Sequence, residues 1–69
     1  MKKWSENLIN LSKEYLNYNG VRVKSINGEF GELSINYENK IYIISISNSN
    51  KTVTFHSVDE IINSDWVVD

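Results

Sequence analysis

Residues 41–47 have the sequence Ile-Tyr-Ile-Ile-Ser-Ile-Ser, and this segment constrains the fold more than any other part of the chain. Isoleucine and tyrosine are enriched in β-strands because branched and aromatic side chains pack well on a pleated surface. The first four residues are all apolar, and alternation with polar residues begins only after Ile44. The pattern predicts a strand inside a sheet. One of its faces packs on a core, and part of the other face contacts protein instead of being fully solvated.

Three further segments with alternating apolar and polar residues predict an antiparallel β-meander, at residues 21–24, 32–38 and 52–56. We choose the registers that place apolar residues on one face. The expected inner-face pairs are Val21–Ile35, Val23–Leu33, Tyr37–Tyr42, Ile35–Ile44, Leu33–Ile46, Ile46–Val53 and Ile44–Phe55. The first hairpin then needs a three-residue loop or a bulge at Gly31, and the other two need the two-residue loops Asn39-Lys40 and Ser49-Asn50.

Residues 1–20 predict one amphipathic helix that covers the inner face of this sheet. Its apolar stripe is formed by Trp4, Leu8, Leu11, Tyr15 and Tyr18, widened by Ile9 and Leu16. We expect Ser5 as the N-cap, with Trp4 and Ile9 as a hydrophobic staple, although a start at Lys2 fits equally well. The helix should stop at Asn19-Gly20, because glycine adopts the left-handed conformation without steric cost.

The C-terminal segment opens with the capping-box pattern Ser57-Val58-Asp59-Glu60, which predicts a short helix through about Asn63. After it, Trp66-Val67-Val68 is apolar enough to dock as a short fifth strand or as a plug at one end of the sheet. The predicted fold is therefore a single α+β domain over residues 1–69. Its N-terminal amphipathic helix packs on a four-stranded antiparallel meander, and a short C-terminal helix follows (αββββα).

Composition narrows the classes of function and location. The 69 residues contain no cysteine, so disulfides and thiolate metal sites are excluded. A net charge of −2 disfavours binding to nucleic-acid phosphates. Neither a signal peptide nor an apolar run of the roughly 20 residues that span a bilayer is visible, so we expect a cytoplasmic protein. Alanine, proline and glutamine are absent while asparagine, isoleucine, serine and lysine abound, which indicates a genome rich in AT codons, as in low-GC bacteria and their phages.

His56 is the only histidine and the residue to consider first for catalysis or metal binding, because Asp59 and Glu60 are close in sequence. The alternative is a surface histidine at the end of a strand, beside a serine that caps a helix. One histidine without cysteine does not assemble a typical zinc site. We therefore predict no catalytic residue, no metal ligand and no cofactor.

The outer face of the predicted sheet suggests a partner-binding patch. The register that buries Tyr42 and Ile44 turns Ile41 and Ile43 outward, with Ile43 opposite His56 and flanked by Asn36 and Glu38. Ile26 and Phe30 point outward at the far end of the same face. Alternatively, the C-terminal Ile61, Ile62 and Trp66 fold across this face and bury the two isoleucines.

Carboxylates crowd the C-terminal quarter, where they either bind a basic partner or form a solvated surface at a helix N-terminus. Combined with the outer face, they give the predicted partner-binding residues Ile41, Ile43, His56, Glu38, Asp59, Glu60 and Asp65.

In length and composition, but in no particular residue, the chain resembles short proteins of phages and mobile elements in low-GC bacteria. Many of these bind and block one host protein, as anti-CRISPR proteins and other anti-defence inhibitors do. The leading hypothesis is a non-enzymatic module that binds a host protein. One alternative is a structural protein that self-associates as a homodimer or larger assembly through the same face or a sheet edge. The other is a small nucleic-acid-binding regulator, which the acidic composition makes the weaker of the two.

Overall fold

The computed structural model describes residues 4–69, which form two helices and five strands. The helices are α1 (Glu6–Tyr15) and α2 (Val58–Asn63), and the strands are β1 (Arg22–Ser25), β2 (Phe30–Asn36), β3 (Ile41–Ile46), β4 (Thr52–Phe55) and β5 (Trp66–Val68). All strands are antiparallel, in the order β4-β3-β2-β1-β5. The α+β class with a helix first is confirmed, but the sheet has five strands instead of four. The alternative helix start at Lys2 lies outside the described residues.

The fifth strand exists because the chain turns back sharply after α2. Ser64 ends the helix, and Asp65 has a φ of 68°, which redirects the backbone. β5 then pairs antiparallel with β1, so that Trp66 lies opposite Ser25 and Val68 opposite Val23. Of the two expectations for residues 66–68, the strand is therefore the right one.

The three hairpins have the predicted inner and outer faces but not the predicted registers. The observed inner-face pairs are Val23–Gly31, Leu33–Ile44, Ile35–Tyr42, Ile44–Val53 and Tyr42–Phe55. Each hairpin is thus displaced by two residues from the predicted pairing, and Tyr37 lies in a loop instead of pairing with Tyr42. Because side chains alternate with a period of two, a displacement of two residues leaves every side chain on its predicted face.

Loop chemistry explains the displacement. A two-residue type I′ loop needs positive φ at both residues, and neither Asn39-Lys40 nor Ser49-Asn50 contains glycine. The chain uses the four-residue loops 37–40 and 47–50 instead, each with one positive-φ residue, Lys40 (55°) and Asn48 (61°).

The first hairpin has the predicted three-residue loop, but one residue earlier, at residues 26–28. The backbone N–H of Ser25 donates to the carbonyl of Glu29 at 2.8 Å, and Gly28 has a φ of 89°. The Ser25 hydroxyl accepts hydrogen bonds from the N–H groups of Asn27 and Glu29, both at 3.2 Å. These bonds fix the loop one residue earlier than the apolar pattern alone suggests.

The core lies between the inner face of the sheet and α2. Because α2 connects β4 at one edge with β5 at the other, it crosses this face, and Ile61 is fully buried there. The sheet contributes Val23, Leu33, Ile35, Ile44, Phe55 and Trp66, and Leu16 enters from the end of α1. Ser57 caps α2 as predicted, since its side chain accepts a hydrogen bond from the N–H of Glu60.

Helix α1 lies along the edge formed by β5 instead of on the inner face. The N–H of Val68 donates to Ser12 Oγ at 3.0 Å, and Ser12 Oγ donates to the carbonyl of Leu8 at 2.8 Å. Ser12 and Leu16 are fully buried, whereas Leu11, Tyr15 and Tyr18 of the predicted contact stripe are exposed. The N-cap at Ser5 is confirmed, but the helix ends at Tyr15, four residues before the predicted stop at Asn19-Gly20.

The early end of α1 has an identifiable cause in the segment that follows. Asn19 Oδ1 accepts a hydrogen bond from the N–H of Ile35 at 3.0 Å, and the hydroxyl of Tyr37 donates to the carbonyl of Asn17 at 3.0 Å. These contacts hold residues 17–19 against β2 and the loop after it, so they cannot continue the helix.

Candidate functional site

The outer face of the sheet carries the two predicted isoleucines in a polar surround. Ile41 lies opposite Asn36, and Ile43 lies between Ser34 and Thr54. Both isoleucines are half-buried. The C-terminal segment does not cover them, because Ile61, Ile62 and Trp66 pack against the core on the opposite face. Of the two expectations for this face, burial of the isoleucines by the C-terminal segment is therefore wrong.

His56 and Glu38 lie at the Ile41 end of this face. Both side chains are exposed, His56 directly after β4 and Glu38 in the loop 37–40. The predicted neighbours of Ile43 are wrong, since Thr54 lies opposite it in place of His56, and Ser34 takes the place of Asn36 and Glu38. If the β3–β4 register is extended by one residue, His56 comes to lie beside Ile41.

The three predicted acidic residues lie away from this face. Asp59 and Glu60 are exposed in the first turn of α2, which covers the inner face of the sheet. Asp65 lies at the β5 edge, where its carbonyl accepts hydrogen bonds from Trp4 Nε1 at 3.3 Å and from the N–H of Ile26 at 3.0 Å. The structure thus brings Ile41, Ile43, His56 and Glu38 to one region and leaves the acidic residues outside it.

The other end of the outer face is charged. Arg22 lies opposite Glu32 on β2, and the N–H of Asp69 donates to the carbonyl of Arg22 at 2.9 Å. Lys24 Nζ is 4.0 Å from the carboxylate of Asp69 and 5.6 Å from the centroid of the Trp4 ring. Phe30 remains 52% exposed beside a shallow depression of about 180 Å³. Positive and negative side chains balance at this end of the face, so it has no electrostatic potential of a single sign that would attract a charged partner.

A second apolar surface lies on α1 and the turn after it, where the sequence predicted a buried stripe. Leu11, Tyr15 and Tyr18 are 45%, 44% and 58% exposed, and together we call them the α1 patch. The rings of Tyr15 and Tyr18 are tilted at 46° with their centroids 6.4 Å apart. Leu11 and Tyr15 thus share one side of α1, and the ring of Tyr18, from the turn after the helix, lies beside Tyr15.

Sequence reasoning missed the α1 patch because the helix has two overlapping apolar stripes. The stripe through Ile9, Ser12 and Leu16 also has helical spacing, but the serine at its centre makes it the less apolar of the two. Only the contact between Ser12 and β5 reveals why this stripe is buried. A serine between two apolar residues in a helix was the available signal.

Tyr37 is 61% exposed, but its hydroxyl is engaged. It accepts a hydrogen bond from the N–H of Asn19 at 3.2 Å and donates to the carbonyl of Asn17. Because these two residues flank Tyr18, Tyr37 fixes the backbone that presents the end of the α1 patch.

Within residues 4–69, histidine, aspartate and glutamate side chains nowhere form a group of three that would hold a metal ion. Neither of the helices in this part of the chain is long and apolar enough to cross a membrane. No protein-family model matches the chain, and comparisons with curated proteins and with solved structures also find no match.

Proposed function

We propose that the chain is a non-enzymatic protein-binding module whose principal contact surface is the α1 patch. The observation that carries this proposal is the exposure of Leu11 and Tyr15 on one side of α1, and of Tyr18 in the turn after it, while Ser12 fixes the other side of the helix. Single exposed apolar residues are common on protein surfaces and need no explanation. Three adjacent ones that include a pair of tyrosine rings are typical of an interface.

The spacing of the patch defines the kind of partner. Leu11 and Tyr15 are separated by one helical turn. Tyr18 lies in the turn after the helix, where its N–H donates to the carbonyl of Tyr15 at 3.1 Å. Two helical anchors at positions i and i+4, with the Tyr18 ring from the following turn beside them, suit an apolar groove of another protein that receives the exposed side of α1. The tyrosine hydroxyls would find hydrogen-bond partners at the rim of that groove.

The rigidity of α1 favours affinity. Ser12 ties the buried side of the helix to β5, and Leu16 anchors its end in the core. A surface that is already ordered before binding loses less conformational entropy on association. The patch therefore meets a partner as a preformed element.

The outer sheet face is the second proposed contact region. Ile41 and Ile43 are only half-buried, so they still expose apolar area, but less of each side chain than the residues of the α1 patch. Together with His56 and Glu38 they would extend an interface or contact a second site on the same partner. The acidic residues Asp59, Glu60 and Asp65 lie elsewhere and are not part of the proposed contact surface.

As biological role we propose inhibition of one host protein, for example a component of a defence system. The support is limited to the short chain and to a composition typical of AT-rich genomes. Blocking by simple occupancy needs a stable surface and no catalytic group, which agrees with the arrangement of the exposed residues.

The test is an affinity pull-down from lysate of a low-GC bacterium with four tagged forms of the protein. They are the wild type, the double variant Leu11→Gln/Tyr15→Gln, the control Lys13→Gln on the same helix, and Ile43→Thr on the outer face. Glutamine is a good helix former, so the fold should survive, as checked by circular dichroism. We expect the wild type and Lys13→Gln to retain the same host protein and the double variant to bind it at least ~10-fold more weakly.

Binding that is unchanged in the double variant and lost in Ile43→Thr would transfer the function to the outer face. Retention of no host protein by the wild type, or equal retention by all four forms, would contradict the proposal. If a host protein is captured as expected, the proposal further requires that it forms a stoichiometric complex with the purified chain.

A further inference from the structure

The direction of the backbone hydrogen bonds in β4 follows from the bond that closes its hairpin. The N–H of Ile46 donates to the carbonyl of Lys51 at 3.1 Å, so these two residues form a hydrogen-bonded pair. In an antiparallel ladder such pairs alternate with non-bonded ones. Val53 and Phe55 therefore bond to β3, and the N–H and C=O groups of Thr52 and Thr54 point away from the sheet.

This edge is open, whereas the opposite edge is closed. In residues 4–69 no backbone or side-chain group pairs with the outward groups of Thr52 and Thr54. At the other edge, the outward N–H of Val68 is taken by Ser12 Oγ, and α1 runs alongside. The sheet can therefore be extended on one side only.

β4 has few of the features that keep an edge strand from pairing. Its residues Thr52-Val53-Thr54-Phe55 contain no proline and no charge, and three of the four are β-branched. Its protection is limited to its short length and to Lys51 just before it. Val53 is also only half-buried, so the inner face of this strand still has apolar surface to cover.

We infer that a second copy of the chain pairs with this edge through its own β4, antiparallel, about a two-fold axis at Thr54. Two conditions select this register. The outward backbone groups of both copies must face each other, and the core sides of both sheets must coincide so that Val53 of one copy meets Phe55 of the other. A two-fold axis at Thr54 meets both conditions, with Thr54 opposite Thr54 and Thr52 opposite His56. An axis at Val53 or Phe55 fails, because their N–H groups point toward β3.

The pairing produces one continuous ten-stranded sheet. Two N–H···O=C bonds join the Thr54 residues, and threonine side chains meet across the outer face, a favourable cross-strand pair. Since each copy has one open edge, the assembly closes at two chains and does not extend into a fibre. The α1 patch lies at the far edge of each copy, so this dimer presents two patches and does not depend on the proposed function.

The test compares the wild type with Thr54→Pro and Thr54→Val by light scattering over a concentration series. Proline removes only an outward N–H, a position at which edge strands tolerate it, and valine retains the N–H. We expect the wild type and Thr54→Val to approach twice the 8.0 kDa chain mass as concentration rises, while Thr54→Pro stays at the monomer mass.

Hydrogen exchange of the wild type tests the pairing through β4 even if the proline variant fails to fold. In the dimer, the Thr54 amide is protected and loses protection on dilution, whereas the Val53 amide stays protected at every concentration. A wild type of monomer mass at all concentrations would overturn the inference. A dimer whose Thr54 amide exchanges freely would also overturn it, because another surface would then hold the copies together.

Discussion

Ser12 is the residue on which the position of α1 depends. It is fully buried, accepts the N–H of Val68 and donates to the carbonyl of Leu8. In doing so it satisfies a backbone donor at a sheet edge that would otherwise be buried without a partner. A buried donor without a partner costs about 1–3 kcal/mol.

We expect Ser12→Ala to lower the free energy of unfolding by about 1–3 kcal/mol, because the N–H of Val68 loses its acceptor. Alanine has the higher helix propensity, so local helix stability would change in the opposite direction. Urea unfolding followed by circular dichroism measures the difference. The control Ser34→Ala, exposed on the outer face of β2, should change stability by less than about 0.5 kcal/mol. A Ser12→Ala variant as stable as the wild type would show that the bond to β5 is dispensable.

At the scale of elements, the hairpin loops set the registers. Lys40 has a φ of 55°, a conformation that costs a residue with a Cβ about 1–2 kcal/mol. Glycine adopts it freely but loses more backbone entropy on folding. The two effects partly cancel, and the steric term is the larger.

Lys40→Gly should therefore raise the free energy of unfolding by roughly 0.5–1 kcal/mol. For a domain of this size, this corresponds to an increase in Tm of about 2–8 °C, measured by thermal denaturation. Asn39→Gly is the matched control, since Asn39 has no positive φ and gains nothing from glycine. A lower Tm for Lys40→Gly would mean that the lysine side chain stabilises the loop in a way the backbone does not explain.

The same loops show what the sequence can and cannot predict. The alternation of apolar residues correctly predicts the faces of β1 to β4, and the serine caps correctly predict the starts of both helices. The registers are not predictable from this alternation, because a displacement of two residues satisfies it equally well. They depend on loops such as 26–28, where a serine hydroxyl fixes the turn.

The candidate site is predictable only where it lies on the sheet. Ile41 and Ile43 point outward as the alternation requires. The α1 patch was not predicted, because Ser12 is only a weak signal and the choice between the two helical stripes depends on the edge of β5. That edge belongs to a strand 56 residues away from Ser12 in sequence.

At the scale of the whole molecule, stability depends on a small core. For 69 residues, a typical free energy of unfolding is about 3–10 kcal/mol. Trp66 is 5% exposed and is the largest side chain in the core cluster, although it belongs to a strand of only three residues. The burial of this one side chain therefore contributes a large share of the total free energy of unfolding.

We expect Trp66→Ala to cost about 3–5 kcal/mol and to leave a substantial fraction of the chain unfolded without denaturant, as seen by far-UV circular dichroism. Phe30→Ala is the matched aromatic control, because Phe30 is 52% exposed on the outer face and should keep a folded spectrum. An equal loss of stability in both variants would contradict the assignment of Trp66 to the core and Phe30 to the surface.

The placement of β5 between β1 and α1 also has a consequence for the time course of folding. The three hairpins close over short loops, so their contacts form early at low entropic cost. β5 and α1 come from opposite ends of the described chain, and each is the other's packing partner. Their docking is the least local step in the molecule and should be the slowest. As long as β5 and α1 are not docked, β1 is an edge strand, and the sheet has a second open edge besides β4.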